Sequence, residues 1–212
     1  MKFLTYLLAI GLCLPAFGKT KTIELKGENT LTLSVEIRPD TADMFVNALI
    51  AKRTMLPKEQ TLYILIASPG GDIESARLIK EVLKNVPNTA VICKFCASAA
   101  SMLFATFPGP RYSTEKTVVL MHEMYYGHLT AKEATPDAII SLIIASDEFN
   151  KMIYDVIGIS KEKYEKKIVG KEWIVYGKDT LDWHLSTEFV KVTCDAYVKD
   201  MAPDTCKPKD DE

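Results

Sequence analysis

Two hydrophobic periods take turns along the chain. Short runs rich in Thr, Val, Ile and Leu predict strands at Thr22–Leu25, Leu31–Ile37, Thr89–Cys93 and Thr117–Met121, the last ending at His122. Thr61–Ala67 is apolar almost throughout, the pattern of a strand covered on both faces. Between these runs the apolar residues fall at helical spacing. Met44, Phe45, Leu49 and Ile50 mark a helix over Thr41–Arg53. Ile73, Ala76, Ile79, Leu83 and Val86 share one face of a helix that Asp72 caps. Further helices are predicted over Ser98–Phe107, over Asp137–Ile157 with Leu142, Ala145, Phe149, Met152 and Val156 on one side, over Ser160–Ile168 and over Asp179–Trp183. Lys207–Glu212 is a charged end, expected to be disordered.

Strands alternating with helices imply an α/β fold, a mainly parallel sheet with helices packed on it. Ligands of such sheets bind at the carboxyl ends of the strands. Three predicted strand ends carry notable residues: Ser68-Pro69-Gly70-Gly71, the Ala- and Ser-rich turn at 96–101, and His122. A sheet of this kind can bring the three to one edge.

The chain's 212 residues suit one domain with short tails, and 48% hydrophobic with 25% charged residues suit a full core. The net charge is −2 and no basic stripe interleaves with aromatics, so nucleic acid is not an expected partner. Met1-Lys2, the apolar run to Leu14 and small residues at Ala16 and Gly18 predict a secretory signal peptide over residues 1–18. The other reading is a membrane anchor, but the run is shorter than the roughly 20 residues a spanning helix needs. The expectation is a periplasmic or secreted protein with a domain over residues 19–190 and a C-terminal tail over 191–212. Beyond the signal stand Cys93, Cys96, Cys194 and Cys206. An even number in an exported chain is compatible with disulfides. Cys194–Cys206 would pin the tail, and Cys93 and Cys96 read as buried or bridged structural cysteines. No second CxxC and no nearby His accompanies them, so no metal site is expected.

A serine hydroxyl needs an adjacent base and, for acyl transfer, donors aimed at the developing oxyanion. A glycine pair leaves a backbone N–H unshielded, and a serine opening a helix has unpaired N–H groups beside it. Ser98 as nucleophile, His122 as general base, and the N–H groups of Gly70 and Ala99 as oxyanion hole would therefore make an acyl-transfer site.

Ser68-Pro69-Gly70-Gly71, then Cys96-Ala97-Ser98-Ala99-Ala100, then Val119-Leu120-Met121-His122-Glu123, in this order, resemble the Clp protease proteolytic subunit family. The likeness runs from about Thr22 to Leu185, and Asn150–Lys167 resembles that family's helix-turn-helix. The resemblance implies a ClpP/crotonase-like fold, with repeated ββα units, a mainly parallel sheet and flanking helices. It implies a serine peptidase with Ser98, His122, Gly70 and Ala99 in the roles just given, acting on peptide or protein substrates as a homo-oligomer and needing no cofactor. Ala99-Ala100-Ser101-Met102 offers a second register in which Ser101 is the nucleophile. Ser98 keeps the spacing to Arg111 and His122; Ser101 lies a helical turn further in. The family's third catalytic residue, an Asp, falls on Lys171. Glu172 is the nearest carboxylate to replace it, ahead of Asp179 and Asp182, and a Ser–Lys pair using Lys171 is the other arrangement. Residues from Glu123 to Asp137 correspond to the handle that joins rings, while His128 and His184 read as surface residues.

Three functions follow from these residues. The first is an exported peptidase that needs no ATP-driven unfoldase and cleaves short or unstructured peptides through an acyl-serine. The second is a degenerate peptide-binding scaffold of the same fold. The third is a crotonase-like acyl-transforming enzyme, which would leave Ser98 and His122 unexplained.

Overall fold

The structure is a computed structural model that describes residues 20–123, 135–201 and 205–206. The expected signal segment, His128, most of the handle stretch and the Lys207–Glu212 end lie outside the described residues. The elements follow in chain order: β1 (Thr22–Leu25), β2 (Thr30–Leu33), α1 (Pro39–Met55), β3 (Leu62–Ser68), α2 (Ile73–Lys84), β4 (Thr89–Ala97) and α3 (Ala99–Ala105). Then come β5 (Arg111–Ser113), β6 (Val118–His122), α4 (Pro136–Ile157), α5 (Lys161–Ile168), β7 (Glu172–Tyr176), α6 (Asp179–Asp182), β8 (Glu188–Phe189), β9 (Lys191–Cys194) and α7 (Ala196–Met201).

The main sheet has seven strands. The order β2-β3-β4-β5-β8 is parallel throughout; β6 also pairs with β4 in parallel, and β7 closes the sheet antiparallel to β6. The mainly parallel α/β architecture is thus the one the alternating pattern predicts. β1 and β9 pair as a separate parallel ribbon, so residues 191–194 of the expected tail are held in regular structure.

Two apolar layers cover the two faces of the sheet. Leu62, Ile64, Ile66, Val91 and Cys93 join the larger core under α1 to α5, while Leu65, Ala90 and Ile92 join a smaller core with Ile23, Leu25 and Val192 of the β1–β9 ribbon and with Val190 just before it. Successive side chains of a strand point to opposite faces, so a strand covered on both sides reads as one apolar run. That is why Thr61–Ala67 shows no polar alternation.

β4 runs longer than predicted. Its register against β3 shifts at Lys94, between the Ile66↔Cys93 and Ala67↔Phe95 pairs. Ahead of the shift β4 pairs with β5, and beyond it with β6. Cys93 and Cys96 are joined across this shift and fully buried. Cys194–Cys206 is also bridged and ties the chain beyond α7 back to β9.

Two helix faces differ from expectation. In α1 the core side is Ala42, Phe45 and Leu49, while Met44 and Ile50 are 71% and 51% exposed. In α4 the buried side runs through Ser146, Phe149, Ile153 and Ile157, and Ile139, Ile140, Ile143 and Ile144 face outward. Both helices are apolar on more than one side, so spacing alone did not select the buried one.

Candidate active site

Asp72 accepts the Ser75 N–H at 2.8 Å and starts α2 immediately after the glycine pair. The chain must therefore turn from β3 into α2 within Pro69-Gly70-Gly71. Gly70 has φ +89° and Gly71 φ +137°, conformations open to glycine. Space makes the same demand. A Cβ on Gly70 would lie 2.4 Å from the Ala97 carbonyl oxygen and 2.8 Å from both the Ala99 nitrogen and Ser98 Cβ; one on Gly71 would lie 2.2 Å from the Ile37 carbonyl oxygen. Gly70 is thus packed directly against the Ser98 turn.

Ser98 occupies the N-cap position of α3 with φ 52° and ψ −123°. A positive φ at a non-glycine residue with this ψ costs on the order of 1–3 kcal/mol and persists only where the surroundings impose it. The surroundings are visible. The Ser98 N–H bonds the Leu120 carbonyl at 2.9 Å, and the Ser98 carbonyl accepts from the Ser101 N–H at 2.9 Å and the Ser101 hydroxyl at 2.6 Å. The strained conformation is a signal that residue types and order did not carry. Ser98 is half-buried, whereas Ser101 is 1% exposed with its hydroxyl spent inside the helix.

Of the two expected donors, the Gly70 N–H is already bonded within its own turn. The Gly70 N–H bonds Ser68 Oγ at 3.1 Å, and Ser68 Oγ donates to the Val35 carbonyl at 2.6 Å. In the bridge between Ile37 and Gly71, the Ile37 N–H bonds the Gly70 carbonyl and the Asp72 N–H bonds the Ile37 carbonyl. The N–H of Gly71 itself consequently faces away from Ile37, towards the side of β4 and Ser98. Ala99 opens α3, where the first N–H groups have no partner within the helix.

His122 ends β6, whose Leu120 pairs with Ala97. Ser98 and His122 therefore stand at the carboxyl ends of adjacent parallel strands, where ligands of such sheets bind. His122 is half-buried, and its Nδ1 lies 2.5 Å from the Glu123 carbonyl oxygen. A carbonyl only accepts, so Nδ1 carries the proton and Nε2 is the basic nitrogen of the neutral ring.

Glu172 begins β7, a strand the sequence reading did not foresee. In the β6–β7 ladder it is the residue directly opposite His122, which places the two Cβ atoms about 4.5–5.5 Å apart. Lys171 precedes the strand, its N–H bonded to the Ile168 carbonyl. Asp179 and Asp182 belong to α6, after β7. Arg111 serves structure, donating to the carbonyls of Phe107, His184 and Leu185. Among the described residues no cluster of His, Cys, Asp or Glu has the makings of a metal site.

Comparison with known proteins agrees with the mainly parallel α/β sheet. The chain matches the Clp protease family over residues 19–185. It is 28% identical over 151 residues to the ATP-dependent Clp protease proteolytic subunit 2 of Prochlorococcus marinus (strain NATL2A), covering 67% of this chain and 72% of that one. It is 33% identical over 107 residues to the ATP-dependent Clp protease proteolytic subunit 1 of Leifsonia xyli subsp. xyli (strain CTCB07), covering 47% of this chain and 52% of that relative, so it spans about half of the latter's length. With a family match over most of its length and a mainly parallel α/β sheet, the chain belongs to the Clp protease family.

Proposed function

We propose that this protein is a serine-type peptidase working outside the reducing cytoplasm on short or unstructured peptides. Ser98 Oγ attacks the peptide carbonyl carbon as its proton passes to His122 Nε2. The oxyanion is taken by the N–H groups of Ala99 and Gly71. The C–N bond then breaks, the imidazolium gives its proton to the leaving amine, and water removes the acyl group from Ser98 by the reverse sequence. Glu172, across the ladder from His122, supplies negative charge beside the imidazolium.

The observation that carries this reading is the strained Ser98 turn packed against Gly70 at the end of β4, with His122 ending the next strand. Two disulfides among the described residues support an oxidising location. The relatives are named as ATP-dependent; ATP is scarce outside the cell, so we take this chain to act without it. The four isoleucines exposed on α4 support a homo-oligomer.

A peptide-binding scaffold is the second reading, favoured by the main-chain carbonyl that holds His122 Nδ1. Incubating residues 19–212 with an unfolded, fluorescently quenched polypeptide, without nucleotide, separates the two. Cleavage that Ser98→Ala abolishes is expected; binding without cleavage would establish the scaffold.

A further inference from the structure

We propose that Glu123 is the positioning residue for His122, holding the ring with its carbonyl and holding that carbonyl in place with its carboxylate. This deepens the peptidase reading and rests on His122 being the base. Two contacts carry it. The Glu123 carbonyl accepts from His122 Nδ1 at 2.5 Å, and Glu123 Oε2 accepts the Gly170 N–H at 3.2 Å. One residue therefore touches both the ring and the turn that leads into β7.

The second contact matters because of where the ladder stops. His122↔Glu172 is the last β6–β7 pair, so nothing in the ladder fixes the Glu123 carbonyl that sets the ring. Gly170 has φ +66°, and the Lys171 N–H is taken by the Ile168 carbonyl. This turn presents the Gly170 N–H to the Glu123 carboxylate. The carboxylate thus extends the β6–β7 connection past its last pair and holds the main-chain acceptor that selects the Nδ1–H tautomer. Glu172 keeps its electrostatic part, while orientation belongs to Glu123. A residue acting through hydrogen-bond acceptance is replaceable by Gln, which retains an acceptor oxygen on a side chain of the same length.

The test reads the ring directly. Residues 19–212 are labelled with ¹⁵N-histidine, and the His122 signals are assigned by their loss in His122→Ala. The wild type, Glu123→Gln and Glu172→Gln are expected to show a protected proton on Nδ1. Glu123→Ala is expected to lose that protection and move towards the other tautomer. Fluorophosphonate labelling of Ser98, run beside it, is expected to slow on the order of 10²-fold in Glu123→Ala, the scale of an ångström-sized misplacement, and to recover in Glu123→Gln. An Nδ1 proton that persists in Glu123→Ala, or that disappears in Glu172→Gln, overturns the assignment. A wild type that resists the probe while showing the Glu123-dependent tautomer sinks the peptidase reading and leaves the positioning intact, so the two failures are distinguishable.

Discussion

Gly70 and Ser98 form one contact rather than two features. Alanine at 70 would put Cβ against the Ala97 carbonyl at a φ of +89°, so overpacking and backbone strain combine. Gly70→Ala should destabilise the fold by roughly 2–5 kcal/mol and abolish nucleophile reactivity, as measured by urea unfolding and by probe labelling of whatever remains folded. Ser101→Ala removes one hydroxyl hydrogen bond to the Ser98 carbonyl. It should cost about 1 kcal/mol and leave the probe on Ser98; transfer of the chemistry to Ser101 would show as lost labelling. The placement of the candidate residues at strand ends was legible in the sequence because their order along the chain mirrors the order of the strands. The backbone at Ser98 was not, since a positive φ is a property of what surrounds the serine. Nor was the engagement of the Gly70 N–H, which depends on the bridge to Ile37 and on the Ser68 hydroxyl.

Elements differ in how far they announce themselves. α2 is readable from Asp72 and its apolar face, and the cap is present. Asp72→Ala should lower stability by about 1 kcal/mol in a urea titration and loosen the turn below the site. β7 was missed. Its five residues do alternate, with Trp173 and Val175 inward and Glu172, Ile174 and Tyr176 outward, yet the run is short and follows a helix directly. Without β7, Glu172 looked like a neighbour of the lost acid in sequence rather than the cross-strand neighbour of His122. The β1–β9 ribbon was hidden for another reason, because it joins the two ends of the fold. Asp195 fastens it: hydrogen bonds from the Val198 and then the Gly27 N–H hold its carboxyl below the ordinary value of 3.8. A carboxyl depressed on folding stabilises fully above its unfolded value and loses that contribution as pH falls through the folded one. Thermal unfolding of Asp195→Asn should therefore differ from the wild type at neutral pH and converge with it in acid below pH 3.8.

At the scale of the whole molecule, burial is unevenly spent. Ile139, Ile140, Ile143 and Ile144 are between 44% and 55% exposed along one length of α4, and apolar residues grouped in this way mark an interaction surface. Ile140→Lys with Ile144→Lys should shift light-scattering mass towards the monomer while leaving far-UV circular dichroism unchanged. The fold class was legible because strands and helices alternate in distinct periods; the outward face of α4 was not, because an apolar residue reads the same whether the chain itself or another copy covers it.

The proposed chemistry turns on Ser98 as a nucleophile activated by His122. Labelling residues 19–212 with a fluorophosphonate and mapping the modified residue by mass tests it most directly. Adduct on Ser98 is expected, absent from Ser98→Ala and His122→Ala and retained in Ser101→Ala. Folded protein that carries no adduct, or carries it on Ser101, would contradict it.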